Sequence, residues 1–96
     1  ASPEAVAAFP VNISIHPNPA QDFVTLRLQS NALQTLEINV LEVATGKSVL
    51  KSQRLKLRAQ KLEELRLDLT NLPAGHYQIL IGNGSQTHAI PLVHFR

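Results

Sequence analysis

Four histidines are the first residues of this chain equipped to bind a metal or move a proton: His16, His76, His88 and His94. Metal sites in proteins draw on ligands at short, regular spacings, often with thiolates; here there is no His-x-His or His-x₃-His pair, and cysteine is absent. His88 and His94 stand six apart and would share a face of one strand, so a fold would have to bring His76 to them before three ligands met. Scatter is the simpler reading, and we assign no metal site.

Other chemistry fares no better. Ser14, His16 and Asp22 have the residue types of a nucleophile triad, yet no serine is flanked by the glycines of a strained nucleophile elbow. Glu63 and Glu64 are adjacent, and adjacent side chains of a strand point to opposite faces, so the two carboxylates do not converge. Gly82-Asn83-Gly84 lacks the lysine and the following helix of a phosphate loop and reads as a hairpin turn. The expectation is a non-enzyme with no cofactor.

The elements that would have to position such groups are themselves modest. Ninety-six residues suffice for one domain with one core. Hydrophobic residues make up 44% of the chain and aromatic residues only 4%, so that core is aliphatic and short of stacking platforms for bases or sugars. Without cysteine, burial and backbone pairing alone hold it. The net charge of +2 is too slight to imply a nucleic-acid partner. Residues 47 to 61 carry Lys47, Lys51, Arg54, Lys56, Arg58 and Lys61 with no acid, and Glu63, Glu64 and Asp68 follow. We read these runs as solvated faces of opposite sign, with contact to an anionic surface as the lesser alternative. No stretch approaches the ~20 apolar residues of a membrane-spanning helix, and no charged-then-apolar leader opens the chain.

Alternation of apolar and polar residues sets the elements. Residues 1 to 12 show no period and read as a linker or tether, which suggests a domain from the end of a longer protein. The domain proper is expected over 13 to 96. Asn12 to His16 alternates and Pro17-Asn18-Pro19 stops it, because each proline fixes φ and removes an amide donor. Val24, Leu26 and Leu28 mark one strand, and Leu36, Ile38 and Val40 another facing the same core. Ala44-Thr45-Gly46-Lys47 is a hairpin turn, with Ser48 to Lys51 as the return strand. Leu55 to Leu69 has some helical spacing, but Leu65, Leu67 and Leu69 keep period two, so two strands joined by a polar loop around Arg58 to Lys61 are expected. Leu72-Pro73-Ala74-Gly75 is a turn leading to a strand with Tyr77, Ile79 and Ile81 inward. Asn83-Gly84 returns the chain into a last strand, with Pro91 at a sheet edge or kink. The sum is an all-β sandwich of about seven short antiparallel strands.

The order Ile15-His16-Pro17-Asn18-Pro19-Ala20, then Thr45-Gly46-Lys47, then Leu72-Pro73-Ala74-Gly75-His76-Tyr77-Gln78-Ile79 resembles the C-terminal sorting domain of the type IX secretion system of Bacteroidota. The likeness spans roughly residues 12 to 96. It implies an immunoglobulin-like β-sandwich at the end of exported cargo. Its implied partners are the outer-membrane translocon, shuttle proteins and a sortase-like cysteine peptidase that cuts near the N-terminal boundary and joins the cargo to an anionic lipopolysaccharide. The implied route runs through the periplasm and across the outer membrane to the cell surface or the medium. By the same resemblance Pro17, Asn18, Pro19, Ala20, Gly46, Leu72, Ala74, Gly75 and Tyr77 determine the fold. The translocon would read the last strand: His88, Ala89, Ile90, Pro91, Leu92, Val93, His94, Phe95 and Arg96. The chain departs from the family where an aromatic is usual at His16, an acid near Val43 and Ala44, and a lysine-rich end at His94-Phe95-Arg96. An immunoglobulin-like adhesion or carbohydrate-binding module is the alternative, and it would show an aromatic cluster on one sheet face.

Overall fold

The computed structural model describes residues 11–95. Among them seven strands run in the order β1 (Val11–His16), β2 (Phe23–Ser30), β3 (Gln34–Glu42), β4 (Gln53–Leu57), β5 (Glu63–Asp68), β6 (Gly75–Gly82) and β7 (Thr87–His94). They pair antiparallel into a three-stranded sheet, β1-β2-β5, and a four-stranded sheet, β4-β3-β6-β7. This is the expected all-β sandwich of immunoglobulin-like kind. Three connections cross between the sheets, β2 to β3, β4 to β5 and β5 to β6.

Period-two patterning dictates this packing, because it puts one apolar face of each sheet toward the other. Val24, Leu26 and Leu28 of β2 are fully buried, and so are Leu36, Ile38 and Val40 of β3 and Tyr77, Ile79 and Ile81 of β6. Leu57, Leu67, Leu69 and Leu92 complete the interior. Leu65, Leu67 and Leu69 share the inward side, as their spacing requires, and the region 55 to 69 holds β4 and β5 with no helix. At the bend between them Gln60 adopts a left-handed backbone, φ 58°, and its amide donates to Ser30 O at 2.6 Å.

Three details differ from the sequence expectation. Val11 is buried and, with Asn12, pairs with β2, so the sheet begins inside the segment assigned to the tether; residues 1–10 lie outside the described residues. The return strand after the Gly46 turn is not Ser48 to Lys51. Only Ser48 bridges to Leu41 there, since Val49 and Leu50 both pack toward the core and break the alternation; pairing resumes at Gln53. The last hairpin also closes at Gly82 and Thr87, so four residues rather than two make its loop. Asn83 Oδ1 accepts the amides of Ser85 and Gln86, and Gly84 supplies a φ of 99°.

Removing a large side chain from the closed centre of this sandwich leaves a void the two sheets cannot fill. Leu26→Ala is expected to cost about 2–5 kcal/mol in urea unfolding, whereas Leu33→Ala, at an exposed site, should change stability by less than about 0.5 kcal/mol.

Candidate functional site

The Pro17-Asn18-Pro19-Ala20 block leaves β1 and lies along the outer edge of β7. Both X-Pro bonds in it are cis. Ala20 is buried and forms a parallel bridge with His94, its amide donating to Val93 O at 2.8 Å while Phe95 N donates to Ala20 O at 2.9 Å. Two residues earlier, the Asn18 side chain does the same work. Its Nδ2 donates to Pro91 O at 3.1 Å, and its Oδ1 accepts Val93 N at 3.1 Å. A side-chain amide carries the same donor and acceptor as a peptide unit, so Asn18 and Ala20 together act as a short extra strand.

These bonds fix which way the β7 backbone faces. Pro91, Val93 and Phe95 present their backbone groups outward, so by alternation Ile90, Leu92 and His94 face β6 with theirs. Pro91 therefore sits in an edge strand at a position whose missing amide costs no ladder bond. From Pro91 to Phe95 the edge is covered. Thr87 and Ala89 share the outward parity and lie beyond the reach of Asn18.

His94 joins this edge to the second block. Its ring is buried, with Nδ1 3.1 Å from Ala20 O and Nε2 3.0 Å from Leu72 O. Both partners are carbonyl oxygens: a ring protonated on both nitrogens donates to both, and a neutral ring donates to one. Tyr77 lies beside it, ring centroids 6.2 Å apart and tilted by 58°. The Tyr77 hydroxyl donates to Pro73 O, which closes the turn over the ring. Leu72 is buried beneath that turn, and its amide donates to Leu69 O at 3.0 Å. Upstream, Asp68 anchors the turn by accepting Thr70 N at 3.0 Å and Thr70 Oγ1 at 2.7 Å. These donors, the amide first, hold its carboxyl below the usual carboxylate range.

The remaining residues singled out from the sequence divide between inside and outside. Gly46 occupies the β3–β4 turn with φ 71°, where Gly46 N donates to Glu42 O at 2.7 Å; a side chain there would have room but a strained backbone. Gly75 opens β6 opposite His94 without positive φ, and an added Cβ would meet nothing nearer than the Tyr77 ring at 4.0 Å. Ala74, Pro17 and Pro19 are exposed. Of the strand assigned to recognition, Leu92 and His94 are buried, so they hold the fold and offer no side-chain surface to a partner. Ile90 and Val93 are half-buried, whereas His88, Ala89, Pro91 and Phe95 are exposed; Arg96 lies outside the described residues.

The four imidazoles do not converge. His94 points into the core and His76, of the opposite alternation, out of the four-stranded sheet, while His16 stands on the other sheet. No group of three or more metal-ligating side chains occurs among the described residues. Ser14, His16 and Asp22 make no hydrogen bond to one another. The six cations of residues 47 to 61 are all exposed, and the sole ion pair among the described residues is Arg27 to Glu64.

Two outcomes follow from this geometry. His94→Phe keeps the ring volume but strips Leu72 O of its partner, and it should cost about 1–3 kcal/mol in denaturant unfolding, the range for a stranded buried acceptor. Because the Asp68 carboxyl titrates lower in the folded chain than in the unfolded one, its contribution is present above the ordinary carboxylate range. It is lost as pH falls through the lowered value. Asp68→Asn should therefore flatten the acid limb of the stability profile, measured by urea unfolding at stepped pH, and leave the neutral-to-basic shape unchanged.

Comparison with known proteins bears on what this arrangement is. No curated protein sequence matches the chain. Among solved structures it is similar to dimeric latent PorU from Porphyromonas gingivalis, with TM-score 0.68 and 16% identity over 94% of this chain; it spans 10% of that one. Parts of β-glucosidases from Erythrobacter marinus and Listeria innocua also superpose, each over 88% of this chain. Their TM-scores are 0.57 and 0.52, their identities 7% and 9%, and the chain spans 15% and 16% of them. At such identities these likenesses describe the fold alone. The secretion system C-terminal sorting domain model matches residues 14–93, both proline-bearing blocks and the Gly46 turn included, and the chain belongs to that family, the sorting signals of type IX secretion.

Proposed function

We propose that this domain is a folded address label read through the uncovered part of β7, and that it carries no catalysis of its own. Export of a cargo across the outer membrane is the role of the family; cell-surface attachment, with cutting near residues 1 to 12 by a sortase-like cysteine peptidase, is the finer reading we adopt. The observation that carries it is the division of the β7 edge. Asn18 and Ala20 occupy the backbone from Pro91 to Phe95, and Thr87 and Ala89 keep outward amide and carbonyl groups to which a strand of the translocon or a shuttle protein can add. Exposed His88, Ala89, Pro91 and Phe95 flank that stretch and would supply side-chain contacts. The non-catalytic reading is supported by Ser14, His16 and Asp22 making no hydrogen bond to one another and by the imidazoles joining no group of three or more metal-ligating side chains among the described residues.

Deletion of residues 88 to 96 is a blunt test, since it takes Leu92 and His94 from the core and the covering strand with them. Ala89→Pro is sharper: it removes one outward amide and no bond to β6. Residues 1 to 96 behind a periplasm-directed reporter, in a bacterium with type IX machinery, should bring the reporter outside the cell. With Ala89→Pro the reporter should accumulate in the periplasm, while the purified domain unfolds within about 1 kcal/mol of the parent. A reporter retained by the unaltered chain would sink the sorting role. Equal export by the proline variant would refute strand addition at Ala89.

A further inference from the structure

The outward face of the three-stranded sheet carries polar groups that neither the fold nor the sorting role uses. Alternation puts Ser14 and His16 of β1, Phe23, Thr25 and Arg27 of β2, and Glu64 and Arg66 of β5 on that face. Register then sets them in rows. His16, Thr25 and Arg66 are direct cross-strand partners, and Ser14, Arg27 and Glu64 form the next row. Cross-strand neighbours stand roughly 5 Å apart and successive rows roughly 7 Å apart, the scale of one sugar ring. Together they line a hollow of about 510 Å³.

Charge within the hollow is unbalanced in one direction. Glu64 is its only acid and is engaged by Arg27, Nε to Oε2 at 2.7 Å. Asp68, at the end of β5, spends its carboxylate on Thr70. Among the described residues Arg66 has no carboxylate partner; its guanidinium lies over the Phe23 ring, 3.9 Å from the centroid. That stacking holds a planar cation in one place and leaves its N–H edge for a ligand. Beside it the hydroxyls of Ser14 and Thr25 and the ring of His16 make no hydrogen bond among the described residues.

We propose that this hollow binds an anionic monosaccharide unit, a sugar acid or a sugar phosphate. The carboxylate or phosphate takes the guanidinium edge of Arg66, and ring hydroxyls exchange hydrogen bonds with Thr25, Ser14 and His16. An anion alone would leave the hydroxyls of Ser14 and Thr25 unused, and a neutral sugar would leave Arg66 without a counter-charge. The face is opposite to the one packed in the core and on the other sheet from β7, so occupancy and sorting are separable.

Amide chemical shifts of the ¹⁵N-labelled chain test this with glucuronate, glucose 6-phosphate, glucose and inorganic phosphate at matched ionic strength. Glucuronate or glucose 6-phosphate should give saturable shifts at Ser14, His16, Thr25 and Arg66. Glucose and inorganic phosphate should bind at least about tenfold more weakly, and Arg66→Gln should weaken the anionic sugar by at least about tenfold, the scale of a charge-assisted pair. Thr25→Val should weaken it about threefold, and the unperturbed remainder of each spectrum reports that the variant is folded. Absence of saturable shifts overturns the proposal. So does binding of glucose or phosphate as strong as that of the anionic sugars, or binding unchanged by Arg66→Gln.

Discussion

One imidazole, buried between two backbone carbonyls, is the constraint on which the rest of this structure turns. The segment after β1 ends at Ala20 O, the turn before β6 passes through Leu72 O, and His94 holds a ring nitrogen at 3.1 Å from one and 3.0 Å from the other. Three pieces distant in sequence thus meet at one side chain. A buried carbonyl left without a donor costs about 1–3 kcal/mol, so the turn through Leu72 O depends on the imidazole, while Ala20 O keeps Phe95 N as a further donor. Tyr77 walls the ring in, and Ala20 completes its second bond by accepting Phe95 N.

From that constraint follows the shape of the last strand. With Ala20 tied to His94, Asn18 is set against Pro91 and Val93, and the block of two prolines becomes a cover for a sheet edge. Edge strands invite pairing with other chains, and this one is closed over its C-terminal half and open at Thr87 and Ala89. Proline at position 91 suits the arrangement, because the outward side is where an absent amide breaks no ladder. The open stretch is short and bounded, which favours one docking register over indefinite stacking.

Much of the fold was legible because alternation is a direct record of burial. Val24-Leu26-Leu28 and Leu36-Ile38-Val40 could face only one core, and Leu65-Leu67-Leu69 decided against a helix. The 48 to 51 segment departs from the expected strand because Val49 and Leu50 both turn inward, which period two has no means to place. At the site, the two blocks were recognisable, but their contact with β7 was not, since Asn18 and Pro91 lie 73 residues apart. Sequence alone presents His94 as one scattered histidine and as part of the recognition strand. Its position in the inward series Ile90, Leu92, His94 was the available signal that a polar side chain was entering the core and needed partners there. Ala74 and Gly75 remain without a packing or conformational reason.

Hydrogen exchange at individual amides of the native chain measures the division of the β7 edge most directly. If Asn18 and Ala20 form the extra strand, the amides of Ala20, Val93 and Phe95 exchange only through opening of the domain, as slowly as those of the core strands. Ala89, of the same outward parity but uncovered, exchanges orders of magnitude faster. Exchange of Val93 and Phe95 as fast as Ala89 would contradict the account, because the two blocks would then not hold the strand.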